Sequence, residues 1–270
     1  MKVYIHTNNK QLIGAKVAQQ LWNDLGVHDV EIINVDNDLD FSILWGANYL
    51  RGGRKEKFDQ QDVQSFTLSR FVPETICDTN YIVTDPDVFP TSLDTVSKVR
   101  KLMDSSWDGL YAVPSQLGHN SSVMIRSGKR NAMWDYKEIL SGIVKKEIDY
   151  NNIMLLRFIA PRVREISDVY NSFDRLDEET LLLHNTRRIT QPWKEGLRID
   201  FINHKQGLLR RFKSKIKPEF YKRHPDANQI KFFFKGLKRA LDSGLVSERD
   251  VKDAIANKYV RADSLELINS

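Results

Sequence analysis

Asn80–Phe89 reads NYIVTDPDVF: a short apolar run, Tyr81 to Thr84, leads straight into two aspartates separated by a proline. The run has the character of a buried strand, and Asp-Pro-Asp puts two carboxylates at its C-terminal edge. Asp and Pro are ordinary turn residues, so one reading is a capped turn and nothing more. The other reading follows from the spacing. In an extended chain residues i and i+2 point to the same side, so Asp85 and Asp87 are spaced to share one cation. A hard divalent ion held in this way keeps positions open for phosphate oxygens. The pattern alone is cheap. The chain has 24 aspartates and two further Asp-x-Asp pairs, Asp36 with Asp38 and Asp38 with Asp40, which read as a solvated loop in NVDNDLDF.

Outward from this stretch, the chain alternates strand and helix signals. Lys2–His6 (KVYIH) is a first strand, and Ile13, Val17, Leu21 and Leu25 form a helix face that stops at Gly26. Val30–Val35 is a second strand. WGANYLRGGRKEKFDQQDVQ is polar and aperiodic and reads as a long surface loop, followed by a short helix in SFTLSRFVPE stopped by Pro73. Leu93, Val96, Val99 and Leu102 mark the next helix. LYAVP and SSVMIRS are short strands, and Met133–Ile143 is helical. This order predicts an open α/β sheet with crossover connections, in which ligands collect beyond the carboxyl ends of strands. IHTNN and VTDPD both lie at such ends. After about Gln206 the pattern turns helical: Ile230, Phe233, Phe234, Leu237 and Leu241 share a face that closes at Gly244. Ser247 with Asp250 signals a further helix through Ala256.

The totals bound the class. A chain of 270 residues and 31.4 kDa, 41% hydrophobic and 29% charged, is long enough for one large α/β domain with or without an appendage. NNIMLLRFIA falls short of the roughly 20 apolar residues that span a bilayer. MKVYIHTNN has no charged-then-apolar leader, and the single cysteine, Cys77, excludes an internal disulfide framework and a cysteine-built zinc site. The expected compartment is a reducing cytoplasm. The net charge of +5 is uneven: Phe201–Ser270 carries 16 Lys/Arg against 8 Asp/Glu, so the basic character belongs to the tail.

Three blocks then combine. FTLSRFVPETICDTNYIVTDPDVF, HNSSVMIRSGKRNAMW and VYNSFDRLDEETLLLHNTRRITQPW, in this order, resemble the family 8 glycosyltransferases and their bacterial relatives. With the first strand included, the resemblance covers about three quarters of the chain. It implies a GT-A fold, a Rossmann-like open mixed sheet flanked by helices, over residues 1–205, with a basic helical extension over 206–270. It implies metal-dependent transfer of a sugar from a nucleotide diphosphate to a hydroxyl acceptor, with retention. Asp85, Asp87 and His184 would hold Mn²⁺ or Mg²⁺; an imidazole beside two carboxylates tilts the preference toward Mn²⁺. His119 is the rival ligand, and a histidine at the end of TLLLH is otherwise a hydrogen-bonded structural residue. Asp87 and Arg70 would be catalytic, the arginine neutralising charge on the departing diphosphate; a helix arginine facing water is the bland alternative. Thr7, Asn8 and Asn9 would meet the nucleotide, although Asn pairs after a strand are also turn residues. Asn120 and Ser121 would line the sugar pocket, and Gln191, Trp193 and Lys194 of the closing block would bind the nucleotide donor.

There are departures. The family often has Lys-Pro-Trp, and here Gln191 occupies the lysine's place; Lys194, Arg187 and Arg188 are possible substitutes. The usual glycine between the histidine and that lysine is absent. The family's acidic-Gln pair is missing, leaving Asp149 and Asn151 as loose candidates in EIDYNNIMLL. In the tail, LLRRFKSKIKPEFYKRH interleaves bases with apolar residues. It suits an anionic membrane surface where a lipid-linked acceptor resides, nucleic acid, or a helix packed on the body with its lysines in water. A non-enzymatic binder using this tail is the alternative function, and a metal-dependent phosphohydrolase is a third.

Overall fold

The computed structural model describes residues 1–128, 131–186, 189–201 and 219–269. Arg187 and Arg188, the 205/206 boundary and most of the basic stretch, with Lys213, Lys215 and Lys217, lie outside them.

The chain opens with β1 (Lys2–Thr7), α1 (Leu12–Asp24) and β2 (Val30–Asn34), then a hairpin of β3 (Asn48–Arg51) and β4 (Arg54–Lys57). A 3₁₀ turn (Thr67–Phe71) leads into α2 (Val72–Ile76), β5 (Tyr81–Thr84), β6 (Val88–Pro90) and α3 (Leu93–Met103). Next come β7 (Gly109–Ala112), the short pair β8 (Pro114–Ser115) and β9 (Gly118–His119), β10 (Val123–Ser127), α4 (Tyr136–Lys145) and α5 (Tyr150–Met154). After β11 (Val163–Glu165), β12 (Ser172–Phe173) and β13 (Leu182–His184) come the C-terminal helices α6 (Ala227–Asp242), α7 (Glu248–Ala256) and α8 (Ser264–Leu267).

The expected open α/β sheet is present, with six strands in the order β11-β7-β10-β5-β1-β2. β1 runs parallel to both β2 and β5, while β10 is antiparallel to β5 and β7. The chain leaves β1 to one side for β2 and returns on the other as β5. The C-terminal ends of β1 and β5 therefore flank a topological switch point, where such sheets bind ligands. Apolar clusters cover the two faces: Val3, Ile5, Ile82, Val123 and Ile125 pack with α1, α3 and α6, while Tyr4, Tyr81, Val83 and Met124 pack with Leu68, Phe71 and α4.

Local signals placed most elements and failed at three. The expected long loop contains the β3/β4 hairpin, because Gly52 and Gly53 both take positive φ (61° and 74°) and suit a tight two-residue turn. Pro73 does not stop a helix; it lies in the first turn of α2, where a missing N–H costs nothing. Asp85 and Asp87 do not share a face through an extended strand. The Val88 N–H donates to the Asp85 carbonyl (3.2 Å), so a turn around Pro86 brings the two carboxylates together. The turn reading and the paired-carboxylate reading are thus one structure.

A second, three-stranded sheet, β12-β13-β6, has consequences for the site. β13 runs antiparallel to β6 with His184 opposite Val88, and the Asn185 N–H donates to the Asp87 carbonyl (3.0 Å). Register alone thereby delivers His184 beside the aspartate turn. The helical C-terminal residues are part of the main core: Phe233 of α6 stacks on Trp193 at 4.5 Å, and Gly236 lets α6 close on Val17 and Leu21 of α1. Among the described residues no helix is long and apolar enough to cross a membrane.

Candidate functional site

Asp85, Asp87 and His184 offer ligand atoms that all lie within 4.8 Å of one another, and each residue is buried. They open onto a cleft of about 320 Å³ at the C-terminal ends of the central strands, lined also by Arg51, Arg70, Ser121, Tyr150 and Gln191 among others. The Asp87 Oδ1 lies 3.3 Å from His184 Nε2. His184 Nδ1 lies 2.7 Å from the Asn171 amide oxygen. That oxygen only accepts, so Nδ1 carries the proton and Nε2 presents a lone pair toward the carboxylates. The Asn171 amide donates in turn to Ser122 Oγ (3.0 Å), which donates to Asn120 Oδ1 (2.6 Å). An imidazole oriented by its other nitrogen is the usual arrangement of a metal-binding histidine. Two hard carboxylates with one such nitrogen fit a divalent ion of the Mn²⁺ or Mg²⁺ type.

Arg70 closes the other side. Its Nε donates to Asp85 Oδ1 (2.7 Å) and its Nη2 to Asp85 Oδ2 (2.5 Å), a bidentate pair. Its Nη1 donates to Ser121 Oγ (3.0 Å). The water-facing alternative for Arg70 therefore fails: the side chain is buried and lines the cleft. Burial pushes the Asp85 carboxyl above the usual carboxylate range; Arg70 opposes this, Asp87 adds to it and His184 opposes it. Two neighbouring buried carboxylates are a standing demand for positive charge.

Asp87 has a second set of partners. The Gln191 amide donates to its Oδ2 (2.9 Å). Gln191 Oε1 accepts from the Gln11 amide (3.3 Å), and Gln11 Oε1 accepts from the Trp193 indole (3.3 Å). An indole only donates and a carboxylate only accepts, so both amides have a single consistent orientation. Behind the turn, Gly14 of α1 faces Pro86: a Cβ there would sit 2.8 Å from the Pro86 carbonyl oxygen.

The other residues picked out in the sequence have separate places. Thr7, Asn8 and Asn9 do not line the cleft. The Thr7 hydroxyl donates to the Asn8 carbonyl (3.0 Å), and the Asn8 amide donates to the Val63 carbonyl and Ser65 Oγ (both 3.0 Å). Asn9 accepts from the Asn34 amide (2.8 Å). Trp193 is a core residue stacked on Phe233. Lys194 is fully buried and bonded to Asp200 (2.7 Å), whose other oxygen accepts from Tyr221 (2.6 Å); burial pulls its ammonium below the ordinary value, with Asp200 opposing. His119 faces Glu165 at 3.6 Å and is outside the ligand cluster, so the rival assignment fails. Asp149 is not a cleft residue: its carboxylate accepts the N–H groups of Gly52 (2.9 Å) and Gly53 (2.7 Å) and caps α5 through Asn151 (2.8 Å). Asn151 does line the cleft. The decoy aspartates are turn residues, Asp38 holding the Asn34 N–H (2.7 Å) and Asp40 that of Ser42 (3.0 Å).

Sequence reasoning missed Gln11, Gly14, Arg51, Tyr150 and Asn171. Only the Gly-Gly pair, as a hairpin signal, could have drawn attention to Arg51 next to it.

No family model matches the chain, and no curated protein matches it in sequence. Solved structures do match. The galactosyltransferase LgtC, crystallised with donor and acceptor sugar analogues, matches 73% of this chain and 90% of its own at 13% identity and a TM-score of 0.47. The glycosyltransferase GlyE of Streptococcus pneumoniae TIGR4 matches 82% of this chain and 65% of its own at 15% identity and a TM-score of 0.47. A glycosyltransferase involved in glycosylation of the major capsid of PBCV-1 matches 69% of this chain and 95% of its own at 10% identity and a TM-score of 0.43. These are proteins that the chain is similar to; the functional reading rests on the geometry of the cleft.

Proposed function

We propose that the chain is a metal-dependent glycosyltransferase that moves a sugar from a nucleotide diphosphate donor to a hydroxyl acceptor, with retention of configuration. The observation that carries this reading is the convergence of Asp85, Asp87 and His184 within 4.8 Å in a cleft that also holds Arg70. A divalent ion bound there, Mn²⁺ by preference, would neutralise a diphosphate leaving group. Asp85 and Asp87 would hold it through carboxylate oxygens and His184 through Nε2. Arg70 steadies Asp85 and adds positive charge where the diphosphate departs. Asn120 and Ser121, just before β10, border the space left for the sugar.

In this reading residues 1–205 form the catalytic unit and 206–270 an extension whose helices buttress it. The acceptor is a glycan, a lipid-linked sugar or a small molecule, and the site of action is the cytoplasm or the inner face of the membrane.

The test is a thermal-shift panel of nucleotide sugars with and without Mn²⁺, followed by product analysis. One donor should stabilise the protein only when Mn²⁺ is present, by about 2.7 kcal/mol at a hundredfold excess over Kd. Asp87→Ala should abolish the shift and Asp38→Ala should leave it intact. Binding that survives Asp87→Ala, or is lost equally in both, removes the site assignment. Release of inorganic phosphate without an acceptor would favour the phosphohydrolase, and nucleic acid or membrane binding indifferent to Mn²⁺ would favour the binder.

A further inference from the structure

The cleft contains a cation that the reading above does not use. Arg51 ends β3, and its guanidinium lies over the Tyr150 ring, 4.6 Å from the centroid. Both residues line the same cleft as the metal cluster. Tyr150 is fixed from behind by Thr67, whose hydroxyl lies 2.6 Å from the phenol, in the 3₁₀ turn that also carries Arg70. Tyr150 opens α5 and Met154 closes it; the Met154 sulfur touches Arg70 Nη1 at 3.5 Å. One short helix therefore spans the floor between the two arginines.

The two differ in their partners. Both Asp85 oxygens are bonded to Arg70. Among the described residues Arg51 has no ion-pair partner: its neighbours are the phenols of Tyr150 and Tyr49, and Asp62 acts on it only through space. Among the described residues two further cations near the cleft are already engaged. Lys194 is buried on Asp200, and the Lys10 ammonium donates to the Gln61 carbonyl. A guanidinium stacked on a ring keeps its N–H edge free for a bidentate acceptor.

Charge balance indicates which acceptor. A divalent ion on Asp85 and Asp87 cancels their two negative charges and leaves the single charge of Arg70 to face a diphosphate, which carries two. Arg51 supplies the second positive charge, and the filled site becomes neutral, as a partly dehydrated cleft requires.

We propose that Arg51 binds a phosphate oxygen of the diphosphate in the cleft, making β3 part of the donor site. The inference rests on the metal-diphosphate reading given above. Its test needs no knowledge of the base or sugar. Inorganic pyrophosphate is titrated calorimetrically into the full chain with saturating Mn²⁺, comparing wild type, Arg51→Gln, Arg51→Lys and Arg54→Gln. Arg54→Gln removes the same charge from the same hairpin at an exposed position outside the cleft lining. Arg51→Gln should weaken pyrophosphate about tenfold or more, the loss of a charge-assisted contact. Arg51→Lys should recover part of that loss, and Arg54→Gln should match wild type. Mn²⁺ alone should bind all four equally. Equal pyrophosphate affinity in Arg51→Gln and Arg54→Gln overturns the proposal, as does a parallel loss of Mn²⁺ affinity in Arg51→Gln. It is also overturned if Arg51→Gln spares pyrophosphate but weakens a hexose phosphate added to the Mn²⁺–pyrophosphate complex, which would assign Arg51 to an anionic acceptor. Should wild type bind Mn²⁺–pyrophosphate through Arg51 yet transfer no sugar, the transferase reading fails and this one stands.

Discussion

Replacing Gln191 with methionine keeps the side chain's length and removes the amide that holds Asp87. The donated bond is 2.9 Å long and runs to a carboxylate buried at 8% exposure, with Gln191 itself at 5%. A hydrogen bond to a buried charge is worth about 1.5–3 kcal/mol, so metal-free protein should lose about that much stability. Groups that orient a ligating carboxylate typically change metal affinity by about 10–100-fold when removed. Gln191→Met should therefore raise the Mn²⁺ Kd by that factor, because Oδ2 loses its donor and the carboxylate its fixed orientation. Gln11 touches no ligand, yet its amide fixes the orientation of Gln191 at 3.3 Å. Gln11→Met should weaken Mn²⁺ in the same direction by a smaller factor. The double variant should be no worse than Gln191→Met alone, since residues in one hydrogen-bonded chain are not additive. The assay is the electron paramagnetic resonance signal of free Mn²⁺ titrated against protein, with thermal melts in a chelator as the stability control. An unchanged Kd in Gln191→Met, or strictly additive losses in the double variant, refutes the reasoning.

Gly14→Ala places a methyl 2.8 Å from the Pro86 carbonyl, so the turn carrying Asp85 and Asp87 must shift. Overpacking of this kind costs about 1–3 kcal/mol, and Mn²⁺ affinity should fall with Tm in the same variant; a Tm loss with unaltered affinity would place the strain elsewhere. His6 is fully buried, and its imidazole is pushed down to about 3, chiefly by burial and then by the nearby Arg70 charge. The unfolded chain protonates near 6.5, so this neutral histidine stabilises the fold above that pH and the contribution is lost as pH falls toward 3. Wild type should lose about 2 kcal/mol between pH 7 and pH 5 through His6, and His6→Asn should lack that slope in urea denaturation. Equal slopes would show that His6 does not titrate as placed.

The helices of this protein were legible because their signals are local. Ile13, Val17 and Leu21 repeat at helical spacing, and Ser247 with Asp250 forms the reciprocal cap at the start of α7. The β3/β4 hairpin was misread because charged residues on both strands conceal the apolar alternation, and only Gly52 and Gly53 mark the turn. Asp85, Asp87 and His184 were singled out together through a resemblance between ordered blocks; spacing by itself does not separate Asp85 and Asp87 from Asp36 and Asp38.

By itself the sequence determined most of the strand and helix segments, that the fold is an open α/β sheet, and that two carboxylates end its central strand. Propensity, periodicity and capping act over a few residues and can be read from a line of letters. The tertiary structure alone decided what those carboxylates meet. His184 arrives through the register of β13 on β6 and Gln191 through a chain of amides anchored on Trp193, while Arg51 reaches the same cleft through a hairpin whose turn is held by Asp149. Each of these partners lies far along the chain, and only packing in three dimensions settles which distant side chains are brought within ångströms of one another.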